Sequence, residues 1–199
     1  HARCAVKPMK KTVLFIAVLL FGLATSVGAA TITFNLNTEF SVGTPPAGTA
    51  PWVTATFVDT TTDTVRLTLS TSNLVGTEYV RGWYFNLDPV FNPVSLVAGF
   101  VFVDTAAIDG HSVSFGTDAF KADGDGYFDI RFNFPTSGNR FTSGETLIYE
   151  FTLAGLTVSS FDFGSVLGGG NGTWKSAAHV QGIGTGGDYS GWIGPGGGN

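Results

Sequence analysis

The chain has one cysteine, Cys4, and it lies upstream of its one methionine, Met9. Past that point no disulfide, thiol nucleophile or cysteine-based zinc site can form. Without covalent cross-links, the fold must stand on its apolar core. Cations are scarce as well, with ten Lys and Arg against fifteen Asp and Glu. Four of the ten are Arg3, Lys7, Lys10 and Lys11, so the rest of the chain carries a net charge of about −9. No basic cluster follows them. That removes the sequence-level footprint of a nucleic-acid binder and disfavours anionic lipid surfaces. Long apolar runs are missing apart from Val13–Leu23, which is shorter than the roughly 18–20 residues a membrane span needs. Helical periodicity is almost absent.

What is present begins with an export signal. Met9-Lys10-Lys11 supplies a basic start, Val13–Leu23 an apolar stretch, and "ATSVGAA" the small residues of a cleavage site. Cleavage is expected after Ala29 or Ala30, and no cysteine stands there to accept a lipid. Residues 1–8 read as an upstream scar or misframed segment and 9–30 as the signal peptide. Residues 31–194 read as one folded domain and 195–199 as a glycine-rich tail and probable truncation point. Removing the first 30 of 199 residues leaves 169, enough for one domain with a sizeable core.

Period-two alternation recurs through that domain. Ile32, Phe34 and Leu36 alternate with Thr and Asn, and Val65, Leu67 and Leu69 alternate with Arg66 and Thr68. Trp83, Phe85 and Leu87 share one face. Phe128, Ile130, Phe132 and Phe134 oppose Asp129, Arg131 and Asn133, and Leu147, Tyr149, Phe151 and Leu153 form the last strong set. Such alternation gives each strand one dry and one wet face. Turn signals separate the runs, among them Asp88-Pro89, Asn92-Pro93 and Ala154-Gly155. The expectation is an all-β antiparallel sandwich, jelly-roll-like, of about 8–10 strands. From Gly164 onward the glycine content reads as a long loop and then a flexible terminal stretch.

Candidate sites are few. "KADGDGYFDI", residues 121–130, sets two Asp-Gly pairs before a strand. Neither register satisfies a calcium EF-hand, because Tyr127 or Lys121 falls where an oxygen ligand is required. Asp-Gly is first of all a hairpin signal. The other reading is a looser calcium site built from Asp123, Asp125 and Asp129, with Asp118 nearby. His111 and His179 have no metal-ligand partner at short spacing. No G-x-S-x-G nucleophile elbow occurs. Glu145 and Glu150, five apart, fall on opposite faces of one strand, which argues against a glycosidase pair. No catalytic residue is assigned. Among the aromatics, Trp83 reads as core and Trp52 as packing at a strand start. Trp174, Tyr189 and Trp192 lie in glycine-rich sequence and are the candidate ligand contacts.

Four segments together carry a resemblance: "TFNLNTEFSVGTPPAGTAPWVTATF", "VRLTLSTSNLVGTEYVRGWYFNLDP", "FKADGDGYFDIRFNFP" and "SAAHVQGIG…SGWIG". The chain resembles the ectodomains of PEP-CTERM exported proteins over most of residues 31–194. The resemblance implies an exported, β-rich, cysteine-poor protein associated with exopolysaccharide and biofilm matrix. The family's C-terminal Pro-Glu-Pro signal, apolar helix and Arg-rich end do not occur in these residues. The expectation is therefore a secreted or cell-surface, non-catalytic β-sandwich with exopolysaccharide as partner. The alternatives are a secreted carbohydrate-active enzyme or its accessory binding domain, and a purely structural surface module.

Overall fold

Twelve strands, all paired antiparallel, dominate the computed structural model, which describes residues 29–103, 110–123, 126–169 and 172–196. Most of the leader, Asp125 and the last three residues lie outside the described residues. The first strands are β1 (Thr31–Glu39), β2 (Val53–Thr61), β3 (Thr64–Ser70) and β4 (Tyr79–Phe85). A 3-10 turn, Pro93–Gly99, leads into β5 (Phe100–Phe102), followed by β6 (Ser112–Ala122) and β7 (Gly126–Asn133). The rest are β8 (Phe141–Thr142), β9 (Thr146–Thr152), β10 (Val166–Leu167), β11 (Ser176–Ile183) and β12 (Tyr189–Pro195). The count exceeds the expected 8–10 because β8 and β10 are two-residue pairings.

Strand β1 belongs to both layers. Thr31–Leu36 pairs with β2, and Leu36–Glu39 pairs with β12 after a bulge between Leu36 and Thr38. One sheet therefore runs β6-β7-β4-β11-β12-β1 and the other β1-β2-β3-β9-β5. A bulge bends and twists its strand, which lets one strand turn the corner between two layers. The non-sequential neighbours β7-β4-β11 and β3-β9-β5 are the long crossovers of a jelly-roll-like sandwich.

The alternating residues meet between the layers. Leu36, Phe57, Leu67, Trp83, Phe85, Phe132, Tyr149 and Phe151 are fully buried in one cluster. Phe57 stacks on Phe161 at 4.4 Å and meets Phe85 edge-on at 5.2 Å, the offset and T-shaped geometries that ring quadrupoles favour. Trp83 has no exposed surface, and its indole N–H donates to Ser176 Oγ at 2.8 Å. Trp52 also packs as expected, donating to the Gly48 carbonyl at 2.8 Å.

Loops are held without disulfides by carboxylates that accept backbone N–H bonds. Glu78 takes Ala47 and Val75, Glu39 takes Ser41 and Gly43, Asp59 takes Val158, and Asp63 takes Gly155. Much of the chain's acidity serves this structural purpose. Charge-assisted bonds of this kind are about twice as strong as neutral ones.

Two expectations are corrected. The glycine-rich C-terminal region is not a loop and flexible end, because β11 and β12 pair as a hairpin in the middle of the sheet. Glycine is needed there for clearance: a Cβ on Gly194 would sit 2.5 Å from the Trp174 ring. Asp129 is not on the wet face either. It is 7% exposed, beside a register shift between Phe115 and Phe120 that brings the Asp118 N–H onto its carboxylate.

Candidate functional site

The residues of the Asp-Gly stretch do not converge. Asp123 sits in the turn between β6 and β7 with φ +47°, the left-handed conformation that Asp tolerates. Asp125 lies outside the described residues. Asp129 accepts the Leu87 N–H at 2.9 Å and the Asp118 N–H at 2.8 Å. Burial raises its carboxyl above the ordinary range against the pull of those two bonds, and the Asp118 charge adds to the rise. Asp129 and Asp118 line a cavity of about 210 Å³ with Asn86 and Phe91. Among the described residues no group of three or more His, Cys, Asp or Glu is placed to hold a metal ion.

The two late glutamates are engaged separately. Glu150 pairs with Arg66 at 2.8 Å, and Glu145 accepts the Thr142 N–H within its own turn. His111 packs against Phe102 at 4.6 Å.

The three aromatic candidates part company. Trp174 is 5% exposed and stacks on Phe40 at 4.4 Å, as part of a second apolar cluster with Tyr84, Phe128 and Ala177. It borders a cleft of about 550 Å³ with Ile32, Asp162 and Lys175. Tyr189 is 62% exposed at the start of β12. It joins Tyr79, Gln181 and Ser190 around a depression of about 250 Å³. Trp192 is half-buried on the outer face of the six-stranded sheet, parallel to His179 at 4.6 Å and 5°.

Register defines that outer face. His179 pairs with Gly82 and Trp192, Ala177 with Tyr84, and Tyr84 with Arg131. Gln181 pairs with Tyr79 and Ser190, and cross-strand partners project from the same side of a sheet. A bulge at Arg81, between the pairings of Val80 and Gly82, keeps Tyr79 and Tyr84 on one side. The result is a strip of planar groups: Tyr79, Gln181, His179, Trp192 and Tyr84. Tyr79 donates to Gln181 Oε1 at 2.8 Å, and Tyr84 lies 5.3 Å from Trp192.

Burial lowers the His179 pKa from 6.5 to about 4, and the Arg81 charge lowers it further in the same direction. The ring is therefore neutral at pH 7 and presents one donor and one acceptor. Burial pushes the Tyr84 hydroxyl up, against the opposing charges of Arg131 and Arg81. The surface accordingly offers aromatic faces with neutral hydrogen-bonding groups between them.

Sequence reasoning found Trp192 and Tyr189 but missed His179, Tyr84, Tyr79 and Gln181. A signal was there: in "SAAHVQGI" the polar His179 and Gln181 alternate with Ala178 and Val180. The chain matches no family model, no curated protein and no solved structure. Among the described residues no helix is long and apolar enough to cross a membrane.

Proposed function

We propose that this chain is a secreted or cell-surface, non-catalytic protein whose outer sheet face contacts polysaccharide. The parallel Trp192–His179 pair, set in the strand plane with Tyr84 and Gln181 beside it, carries the reading. Sugar rings pair an apolar face with a rim of hydroxyls. An exposed aromatic face with adjacent side-chain donors and acceptors matches both. The strip is a surface rather than an enclosed pocket, which suits a polymer better than a small molecule. Its centre carries no carboxylate pair of the kind glycoside hydrolysis uses.

The test is retention on immobilised or insoluble polysaccharides by full-length protein and by Trp192→Ala. Loss of one ring stack is expected to weaken binding about 3- to 10-fold, while circular dichroism of the variant stays unchanged. Absence of retention on every polymer, or equal retention by Trp192→Ala, would refute the assignment. The purely structural alternative would then stand.

A further inference from the structure

We infer that the polysaccharide contacted by this face is anionic, bearing carboxylate or sulfate groups. The inference rests on the polysaccharide reading above and adds the charge of the ligand. Six cations remain beyond the leader. Two are already neutralised, Arg66 by Glu150 at 2.8 Å and Lys175 by Asp162 at 2.6 Å. Lys121 lies over Tyr127 in the β6–β7 hairpin. The other three are all arginines, and all three border the aromatic strip.

Arg81 occupies the β4 bulge, close enough to act electrostatically on both His179 and Tyr84. Arg131 is the cross-strand neighbour of Tyr84, with its guanidinium 4.8 Å from the Phe120 ring centre. Arg140 lies 4.5 Å from the ring centre of Tyr79. None of the three has a carboxylate within salt-bridge distance among the described residues. Arg131 Nε is buried without a hydrogen-bond partner, a donor left free at the edge of the strip.

This distribution is unexpected for a chain of net charge about −9. Carboxylates elsewhere are spent on loop N–H groups and ion pairs, whereas these cations are held flat against rings and left open. The nearest acidic neighbours are at the ends, Glu145 beside Arg140 and Asp188 beside Tyr189. A stacked guanidinium keeps its in-plane donors available for bidentate contact with carboxylate or sulfate. Beyond a Debye length of about 8 Å the net negative charge of the protein is screened, so the local arginines decide what binds. Alternating aromatic and guanidinium groups fit a polymer of sugar rings with regularly placed negative charges.

Affinity electrophoresis of the full chain through gels containing alginate, dextran sulfate, neutral dextran or oligothymidine tests this. Retardation by alginate or dextran sulfate, absent with dextran and weakened by added salt, is the expected result. It also tells carboxylate from sulfate. Arg81→Gln with Arg140→Gln should weaken retention at least about tenfold, whereas Arg66→Gln, which removes equal charge elsewhere, should leave it unchanged. Retardation by dextran as strong as by the anionic polymers overturns the anionic inference and leaves polysaccharide binding standing. No retardation by any polymer overturns both. Equal retardation by oligothymidine, sensitive to the same arginines, overturns it in favour of a nucleic-acid surface. An effect of Arg66→Gln equal to that of the arginine pair overturns the role of this face.

Discussion

Acidifying the protein from pH 7 to pH 4.5 tests the outer face through His179. The ring is half-buried against Trp192, and its pKa falls from 6.5 to about 4. On acidification the unfolded chain takes up this proton first. The stability tied to the neutral ring is thus complete above pH 6.5, is lost as pH falls from 6.5 towards 4, and changes no further below that. At about 1.4 kcal/mol per tenfold change, the gap has a ceiling of about 3 kcal/mol. Water reaches part of the ring, and screening reduces the expected loss to about 1–2 kcal/mol. For a domain of this size that corresponds to a fall in Tm of about 2–8 °C. Carboxylates titrate in the same range, so the comparison is with His179→Gln, which keeps a planar hydrogen-bonding group but has no proton to gain. Thermal melts of both proteins at pH 7, 5.5 and 4.5 supply the difference. Convergence of the two Tm values on acidification supports the argument. Parallel curves, or an imidazole NMR titration with its midpoint above 6, would refute it.

Further predictions concern the scaffold. Asp129→Asn keeps one carbonyl acceptor where two N–H groups now bind, and should lower stability by about 1–3 kcal/mol in urea titration. The pH dependence of Asp129 opposes that of His179: its raised pKa makes its contribution largest at low pH and smaller as pH rises through the folded value. Phe85→Ala removes a ring buried among Phe34, Phe57, Trp83 and Phe132, and should cost about 3–5 kcal/mol by chemical denaturation. Gly194→Ala drives a methyl into the Trp174 ring and should cost about 1–3 kcal/mol, whereas Gly138→Ala, with open space around it, carries only the strain of its φ of +70°. Asp123→Ala with Asp125→Ala should leave Tm the same in calcium and in EDTA. A calcium-induced rise that this pair abolishes would mean that the turn holds an ion.

Most strands could be read directly. Phe57, Leu67, Trp83, Phe85, Phe132 and Phe151 all occupy the buried face that alternation assigns them, because side-chain direction in a strand is a local property with period two. The Asp123 turn was legible for the same reason, since Asp-Gly chemistry acts within four residues. The hairpin of β11 and β12 was obscured because glycine counts as a loop signal whether it serves flexibility or close packing. At Gly194 it serves packing, which shows only when the Trp174 ring is in place. Asp129 escaped because its burial follows from a register shift in the neighbouring strand, and the sequence of β7 carries no mark of it.

The sequence by itself determined the strand-rich architecture, the cysteine-free core and the short-range turns, since each depends on residues a few positions apart. Tertiary structure alone decided the outer face. Tyr84 meets Ala177 and Arg131 through pairings that span 93 and 47 residues, and His179 meets Gly82 and Trp192 in the same way. The sequence of one strand does not specify which strands lie beside it. That choice follows from the joint burial of both sheets around one core, and it turns scattered aromatics and arginines into one surface.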